Sequence, residues 1–481
     1  MSASYDRLFI GGSWVEPSSA ARIQVRSAST EEPIGSAPEA AEADIDAAVA
    51  AARRAFDDPS GWSQWEPAQR AAAMERLASE LEARAQEIGR LVSAQNGMPI
   101  ALSPLIEGMT PVGTLRYVIS LLADAPVEEE ASRFLGGDLI IRHEPIGVVA
   151  GIVPWNYPQT LSSFKYAPAL AAGNTVVLKP SPETVLDSYV FADAVLAAGL
   201  PPGVVNIVPG GRELGAYLVQ HRDVDKVAFT GSTAAGRQIA EACGRLLRPV
   251  SLELGGKSAA IILDDADLDL AAIGQNLFAA TLVNNGQTCY AATRILAPRS
   301  RYAEVVDTFA AFASSLKVGD ALDPATLIGP LVSERQRDRV ERYIAKGSSD
   351  GARLVTGGSR PAGLDAGWFV EPTVFADVDN GSTIAQEEIF GPVLSVMEYT
   401  DTDEAIRIAN DSDYGLGGSV WTTDPDRARA VARRVRTGTM GINGYLPDPA
   451  GPWGGVKSSG IGRELGPGAI AANQNLKTVY A

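Results

Sequence analysis

The chain has 481 residues, too many for one ordinary core, so two or three domains are the default. Apolar residues make up 46% and charged residues 21%, which excludes a disordered chain, and a net charge of −17 argues against nucleic acid or an anionic membrane as partner. Two cysteines and two histidines supply neither a disulfide framework nor a zinc-spaced cluster, so the chain reads as a cytoplasmic protein without a metal site.

The start, MSASYDRLFIGG, lacks a basic segment followed by an apolar one, so no signal peptide is expected. In ADIDAAVAAARRAF, Ile45, Val49, Ala52 and Phe56 fall on one face and predict a helix. A longer helix follows Pro67, with Met74, Leu77, Leu81, Ile88 and Leu91 at helical spacing and Gly97 and Pro99 at its end. The segment ASRFLGGDLIIRHEP (131–145) alternates like a hairpin and reads as an arm, as does the C-terminal NLKTVYA. From Pro145 onward short β-branched runs alternate with helical ones. The strands are GVVAGIVP (147–154), NTVVLKP (174–180), VVNIVPG (204–210), KVAFTGS (226–232) and PVSLELGG (249–256), with helices near 160–172, 184–198, 212–220 and 234–245. Such βαβ units predict a parallel sheet covered on both faces. The longest apolar stretches, such as IGVVAGIVPW (146–155), are too short to span a bilayer. A second α/β series, beginning soon after Gly256, is marked by SAAIILDDADLD, RILAPRSRYAEVV, FVEPTVFADV, GPVLSVMEY and GGSVWT. His143 and His221 read as surface or packing residues.

Several stretches carry residues suited to chemistry. PWNYP (154–158) presents Asn156, an oxyanion donor or a turn residue. In VVLKPSPET, Lys179 and Glu183 lie at the carboxyl end of a strand, where open parallel sheets bind ligands, with Lys179 on the loop. FTGSTAAG (229–236) joins a strand to a helix. Gly231 and Gly236 there would let a ligand approach, beside Ser232 and a helix N-terminus suited to phosphate; a plain capped connection reads equally well. Glu253 in SLELGGK is a candidate general base with a raised pKa, or an ion-paired carboxylate with Lys257. Cys289 sits in NNGQTCYAATR among small and polar residues, a setting for a reactive thiol; Cys243 in AEACGRLL reads as an inert one on a helix.

In this order PWNYP, KPSPET, FTGSTAAG, LELGGK, GQTC, EEIFGPV and GINGY, followed by PWGGVKSSGIGRELG, resemble the aldehyde dehydrogenase superfamily from about Leu8 to the C-terminus. The resemblance implies an α/β fold with a Rossmann-like parallel-sheet cofactor domain (1–125 and 146–256). It adds an α/β catalytic domain (257–457) and a small β oligomerisation arm with the C-terminal tail (126–145 and 458–481). It implies Cys289 as nucleophile, Glu253 as general base, and Asn156 with the backbone N–H of Cys289 as oxyanion hole. Lys165, at the family's pocket-lysine position, would aid proton movement. Trp155, Lys179, Glu183, Gly211, Thr230, Gly231, Ser232, Leu254, Glu388 and Phe390 would contact the dinucleotide. Tyr157, Leu161, Phe164, Tyr290, Tyr445 and Trp453 would line the substrate tunnel.

The implied activity is NAD(P)-dependent oxidation of an aldehyde to an acid through a cysteine thiohemiacetal and thioester. The aromatic lining points to aliphatic, terpenoid or aromatic aldehydes. Many NAD-preferring relatives carry Glu three residues after the motif lysine; here that position is Pro182, and Glu183 follows. NAD is the expected cofactor, with NADP open. A relative that passes its thioester to coenzyme A is the alternative, against which Glu253 speaks. A thioesterase without redox chemistry and a nucleotide-binding protein without turnover are further ones. A homo-oligomer, dimer or tetramer, is expected because exposed sheet edges need covering.

Overall fold

The computed structural model describes residues 3–480, so Met1, Ser2 and Ala481, at the outer ends of the expected first and last segments, lie outside the described residues. The early helices form as Glu42–Asp57 and Pro67–Asn96. Ile45, Val49 and Ala52 are buried on the first and Met74, Leu77, Leu81 and Ile88 on the second, whereas Phe56 and Leu91 are half-buried. Pro67 opens its helix where no backbone donor is needed, and Gly97 closes it at φ 84°.

The first large sheet has a parallel centre. Its strands stand in the spatial order Val250–Glu253, Lys226–Thr230, Val148–Ile152, Thr175–Lys179, Val205–Ile207. The chain moves outward from Val148–Ile152 through the next two strands, then returns to its other side. Strand order therefore reverses between Val148–Ile152 and Lys226–Thr230. At such a reversal successive connections leave toward opposite faces and open a crevice beyond the carboxyl ends. Residue alternation serves both faces. Val149, Val176 and Leu178 pack with Tyr166, Leu170 and Phe191, while Val148, Ala150 and Val177 pack with Leu214, Leu218 and Cys243. Lys179 is the last residue of its strand and is buried, which corrects its placement on a loop.

Leu8–Ile10 and Ser13–Val15 extend one edge of this sheet, and Gly460–Ile461 pairs antiparallel with Val250–Glu253 at the other. Residues near 460 are thus part of the first sheet, not of the arm. A second sheet runs in the order Arg353–Thr356, Thr373–Ala376, Val393–Tyr399, Arg294–Pro298, Ala259–Ile262, Gly418–Trp421, Gly441–Ile442, parallel except at the first pair. Gln474–Tyr480 pairs with Asp138–Pro145, which pairs with Glu128–Ser132, in a separate antiparallel sheet. A small sheet of Ala3–Ser4, Arg22–Arg26 and Pro33–Pro38 has no counterpart among the sequence expectations. Among the described residues no helix is long and apolar enough to cross a membrane.

The helix Pro158–Ala171, which begins just after PWNY, is capped from elsewhere in the chain. Pro104–Met109 forms a π-helical turn that buries Glu107 completely. Its Oε2 accepts the N–H groups of Gln159 (2.8 Å) and Thr160 (3.4 Å). Gln159 Nε2 in turn donates to Asp187 (2.6 Å), as does Gln95 Nε2 (3.0 Å). Burial pushes the Glu107 carboxyl up to about 8 against these hydrogen bonds, and Asp187 to about 6. An unfolded Glu107 titrates in the ordinary carboxylate range, so between that range and about pH 8 the folded chain holds a proton that the unfolded chain has lost. Stability falls as pH rises through this window. Glu107→Gln keeps an acceptor and removes the proton equilibrium. Thermal unfolding between pH 5 and pH 9 is expected to show a smaller fall in midpoint for this variant than for the parent; equal falls would remove Glu107 from the account.

Candidate active site

Two adjoining cavities open at the strand reversal. Asn156, Leu254, Cys289, Glu388 and Phe390 line the smaller, of ≈ 410 Å³. Lys179, Glu183 and Gly211 line the larger, of ≈ 780 Å³. Trp155, Thr230, Gly231 and Ser232 line both, because they are the turns that leave the two diverging strands.

The polar run before Cys289 is a set of cross-links. Val283–Gly286 forms a 3₁₀ turn in which Asn284 (φ 52°) and Asn285 (φ 61°) are left-handed, a conformation that Asn tolerates. Asn284 Nδ2 donates to the carbonyl of Asn156 (2.9 Å), and Asn96 Nδ2 donates to the same oxygen (3.0 Å). Asn156 Nδ2 donates back to the carbonyl of Gln287 (3.0 Å). Asn285 Nδ2 donates to Gly97 O (2.9 Å) and Pro330 O (2.8 Å), and Gln287 Oε1 accepts from Val332 N (2.9 Å). All five amides are buried. One Nδ2 hydrogen of Asn156 is committed to Gln287; an amide carries two, and the second is the one an oxyanion can take.

Cys289 follows this turn; it is partly exposed and does not start a helix. Burial of its sulfur, Glu388 and Glu253 all push the thiol up, against the N–H groups of Tyr290 and Cys289 itself. Gly256 lets the loop close in: a Cβ there would meet the Cys289 carbonyl at 2.3 Å. Gly255 does the same for Glu388, at 2.6 Å. The glycines of FTGSTAAG have another cause than ligand approach. A Cβ on Gly231 would meet the Phe229 ring at 2.5 Å, and one on Gly236 would meet Leu254 at 2.4 Å.

Glu253 ends its strand 2% exposed, and neither carboxylate oxygen has a hydrogen-bond partner among the described residues. Burial, and then Glu464, push its carboxyl well above the usual range, with Lys165 and Arg463 opposing. Lys165 Nζ is held by Glu464 (2.9 Å) and Thr230 Oγ1 (2.6 Å). The alternative of a Glu253–Lys257 ion pair is not realised. Lys257 Nζ has no partner among the described residues, and burial with Arg294 nearby lowers it to about 7. Glu464, in the GRELG run, was not singled out in the sequence and is the buried acid beside Glu253.

Glu388 Oε1 accepts Gly256 N–H (2.9 Å), and burial raises its carboxyl to about 6. Phe390 sits at φ 64° with its ring against Trp155, centroids 5.3 Å apart at 84°. The helix Glu334–Ser349 pins this loop, through Gln336 Nε2 to Phe390 O (2.7 Å) and Arg339 Nη2 to Glu388 O (2.6 Å). Sequence reasoning passed over this helix. The available signal was the i, i+4, i+7 spacing of Arg335, Arg339 and Arg342, which puts all three on one face; all three line the smaller cavity.

The larger cavity suits the other half of an elongated ligand. Val219, Ile239 and Ala242, from helices Arg212–Gln220 and Thr233–Leu246, give it an apolar slot. Lys179 Nζ lies on its floor, bonded to the carbonyls of Gly210 and Pro180, and burial lowers it to about 8. Gly211 caps the helix Arg212–Gln220. A flat ring in the slot, a phosphate near the helix starts and a second ring beside Cys289 together match a dinucleotide.

On the other side of the thiol, Tyr157, Leu161, Phe164, Tyr290, Tyr445 and Trp453 belong to one buried cluster against which Cys289 packs. Tyr290 meets Tyr445 and Trp453 edge-on, at 4.9 and 5.9 Å. The Tyr157 hydroxyl is engaged by Thr288 Oγ1 (2.6 Å) and that of Tyr445 by Thr439, so the rings present mainly carbon.

Residues 14–479 match the family model described as the aldehyde dehydrogenase family. The chain is 56% identical over 480 residues to a geranial dehydrogenase of Castellaniella defragrans, covering 100% of this chain and 99% of the relative. Among solved structures, it superposes on a Mycobacterium tuberculosis aldehyde dehydrogenase complexed with NAD+ with a TM-score of 0.97. That pair is 48% identical, and the match covers 100% and 99% of the two chains. A Pseudomonas syringae aldehyde dehydrogenase complexed with NAD+ and octanal gives 0.94 at 40% identity, covering 99% and 96%. With a cavity pair shaped for a dinucleotide and a thiol at its mouth, the chain belongs to the aldehyde dehydrogenase family, as an NAD-binding oxidoreductase that oxidises aldehydes.

Proposed function

We propose that the oxidation runs through Cys289, on apolar aldehydes. The observation that carries the reading is the shared wall: Cys289 and Asn156, tied together through Gln287, face the same cavity as Glu388 and Phe390. Once the thiol has lost its proton to solvent, the thiolate sulfur of Cys289 adds to the aldehyde carbon, and the free Nδ2 hydrogen of Asn156 with the N–H of Cys289 stabilises the resulting oxyanion. Such a donor contributes about 3 kcal/mol. NAD, when bound, would accept the hydride whose departure from the thiohemiacetal carbon leaves a thioester on Cys289. Lys179, Glu183, Gly211, Ser232 and Glu388, which line the two cavities, would hold it. Glu253 then takes a proton from the attacking water, and the acid leaves. Lys165, between Glu464 and Thr230, passes that proton on. Burial raises the pKa of both the thiol and Glu253, so the share of each in its reactive, deprotonated form grows with pH and turnover rises with it.

The substrate follows from the aromatic cluster beyond the thiol. The hydroxyls of Tyr157 and Tyr445 are turned into hydrogen bonds, leaving a mainly carbon lining suited to aliphatic, terpenoid or aromatic chains. The geranial dehydrogenase relative supports the terpenoid class. The arm bears the exposed side chains of Phe134, Leu135, Leu476 and Tyr480 on an antiparallel sheet with open edges, and we assign it to assembly into a dimer or tetramer.

Cys289→Ala is expected to abolish turnover while still binding NAD. Glu253→Gln is expected to release about one NADH per site in a burst and then stall, since the thioester forms but is not hydrolysed. Steady turnover by either variant, followed at 340 nm, contradicts its role. Across an aldehyde panel, geranial and octanal should exceed succinic semialdehyde in kcat/KM; the reverse order defeats the apolar tunnel. In sedimentation velocity the full chain should run as an oligomer, and a chain ending before Gln474 should run smaller; a monomeric parent would rule out assembly through the arm.

A further inference from the structure

Behind the wall of the smaller cavity lies a cation that the reaction steps do not use. Lys257 follows the glycine pair of LELGGK, is 2% exposed, and lines neither cavity. Its Nζ has no hydrogen-bond partner among the described residues, and neither has the buried Oγ of Ser258 beside it in the chain. The Lys257 carbonyl, by contrast, accepts from Arg294 Nε (2.9 Å). The rest of that guanidinium donates to the carbonyls of Ile408 and Ala409 (both 2.9 Å) and to Asn380 Oδ1 (3.2 Å). Two buried cations are therefore neighbours, and only the guanidinium is bonded. Enclosing an ammonium without a partner costs stability. A methionine of similar length would fill the space without that cost, so packing alone does not call for a lysine.

The reason lies on the cavity side of the same backbone. Glu388 rests on Gly255 and Gly256: Oε1 accepts Gly256 N–H (2.9 Å), and a Cβ on Gly255 would meet Oε2 at 2.6 Å. Lys257 is the next residue. Arg294 repels its ammonium. Glu388 attracts it more than Glu387 does, and the Glu387 carboxylate already takes the Tyr343 hydroxyl (2.6 Å). For Glu388 itself, desolvation opposes the charge, while Gly256 N–H, Arg339 and Lys257 support it. Arg339 reaches it from the far wall, with Nη2 on the Glu388 carbonyl (2.6 Å). Glu388 shares its cavity with Cys289, so its carboxylate meets the half of NAD that bears the reacting ring. A sugar hydroxyl bonds a carboxylate more strongly than a neutral acid. This step rests on the reading that Glu388 holds NAD.

We propose that Lys257 is a positioning residue of the cofactor site. Its enclosed ammonium keeps Glu388 ionised against Gly256, as the acceptor for hydroxyls of the ribose next to the reacting ring. Lys257 touches neither cofactor nor substrate and acts only through Glu388.

The test is calorimetric titration of NAD into the full chain, without aldehyde. At about pH 6.5, Lys257→Met should raise the Kd about fivefold, the loss of one charge-supported hydrogen bond. Its thermal midpoint should stay level or rise, because an unpartnered buried charge is gone. Lys257→Gln, polar but uncharged, should weaken NAD in the same way. Burial and Arg294 lower Lys257 to about 7, so the parent loses the ammonium as pH rises through that value. At about pH 8.5 parent and Lys257→Met should therefore differ less than about twofold. Lys179, lowered to about 8, titrates in this window in both chains alike, so the difference between them isolates Lys257. Glu388→Gln should weaken NAD by itself, and adding Lys257→Met to it should change the Kd less than about twofold. An unmoved Kd, a loss equal at both pH values, or a loss that persists in the Glu388→Gln chain overturns the proposal. So does a lowered thermal midpoint with unchanged affinity, the mark of a packing role. If Glu388→Gln alone leaves NAD binding unchanged, the reading of Glu388 falls, and this role of Lys257 with it.

Discussion

The hydrogen bond from Asn156 Nδ2 to the carbonyl of Gln287 joins the loop after a strand of the first sheet to the loop that carries Cys289. Around it, Asn96, Asn284, Asn285 and Gln287 occupy buried positions and use their side chains on backbone groups of the partner loop or of the Gly97 and Pro330 turns. A buried polar group left without its partner costs about 1–3 kcal/mol, so each bond strongly disfavours any other arrangement of the loops. The consequence is positional. Thiol and amide donor come from segments more than a hundred residues apart, and only this lattice keeps them on one wall. Local conformation supports it, since Asn284 and Asn285 can be left-handed where most residues would be strained.

Electrostatics at the site run against an idle reactive thiol. Glu253 and Glu464 are buried nearby and Glu388 is half-buried, and desolvation raises the carboxyls of Glu253 and Glu388. Within this cluster Lys165 is paired with Glu464. A group poised in this way takes charge late, as the reaction creates it, rather than carrying it at rest. The same logic extends to the helix Pro158–Ala171. Its first turn is held by Glu107, and its body carries Leu161, Phe164 and Lys165 toward the reaction space. Leu161, Phe164 and Lys165 are therefore mounted on one helix with a buried carboxylate behind it.

The groove belongs to two walls at once. The strand reversal supplies the turns at Trp155 and Gly231; the helix Glu334–Ser349 supplies Gln336, Arg339 and Arg335 from across the gap. Contacts from that helix also fix the Glu388–Phe390 loop, so the shape of the cofactor end depends on how the second unit seats on the first. The ion pair between Arg335 and Glu183 is the outermost of these links and the most exposed.

Periodicity determined much of this protein before any coordinates. Val and Ile runs bounded by Gly and Pro located the parallel strands, because strands covered on both faces require such runs. The separated motifs from PWNYP to GRELG identified the family, because so many of them in one order resemble aldehyde dehydrogenases along the whole chain. What the sequence could not decide concerns partners distant along the chain. Whether Glu253 meets Lys257 or stands near Glu464, whether Gly231 yields to a ligand or to Phe229, and which arginine faces Glu183 all depend on which surfaces are brought together. Hydrogen bonds and ion pairs form at about 3 Å, and nothing in local spacing fixes a distance between residues one hundred and fifty positions apart. Only tertiary packing did.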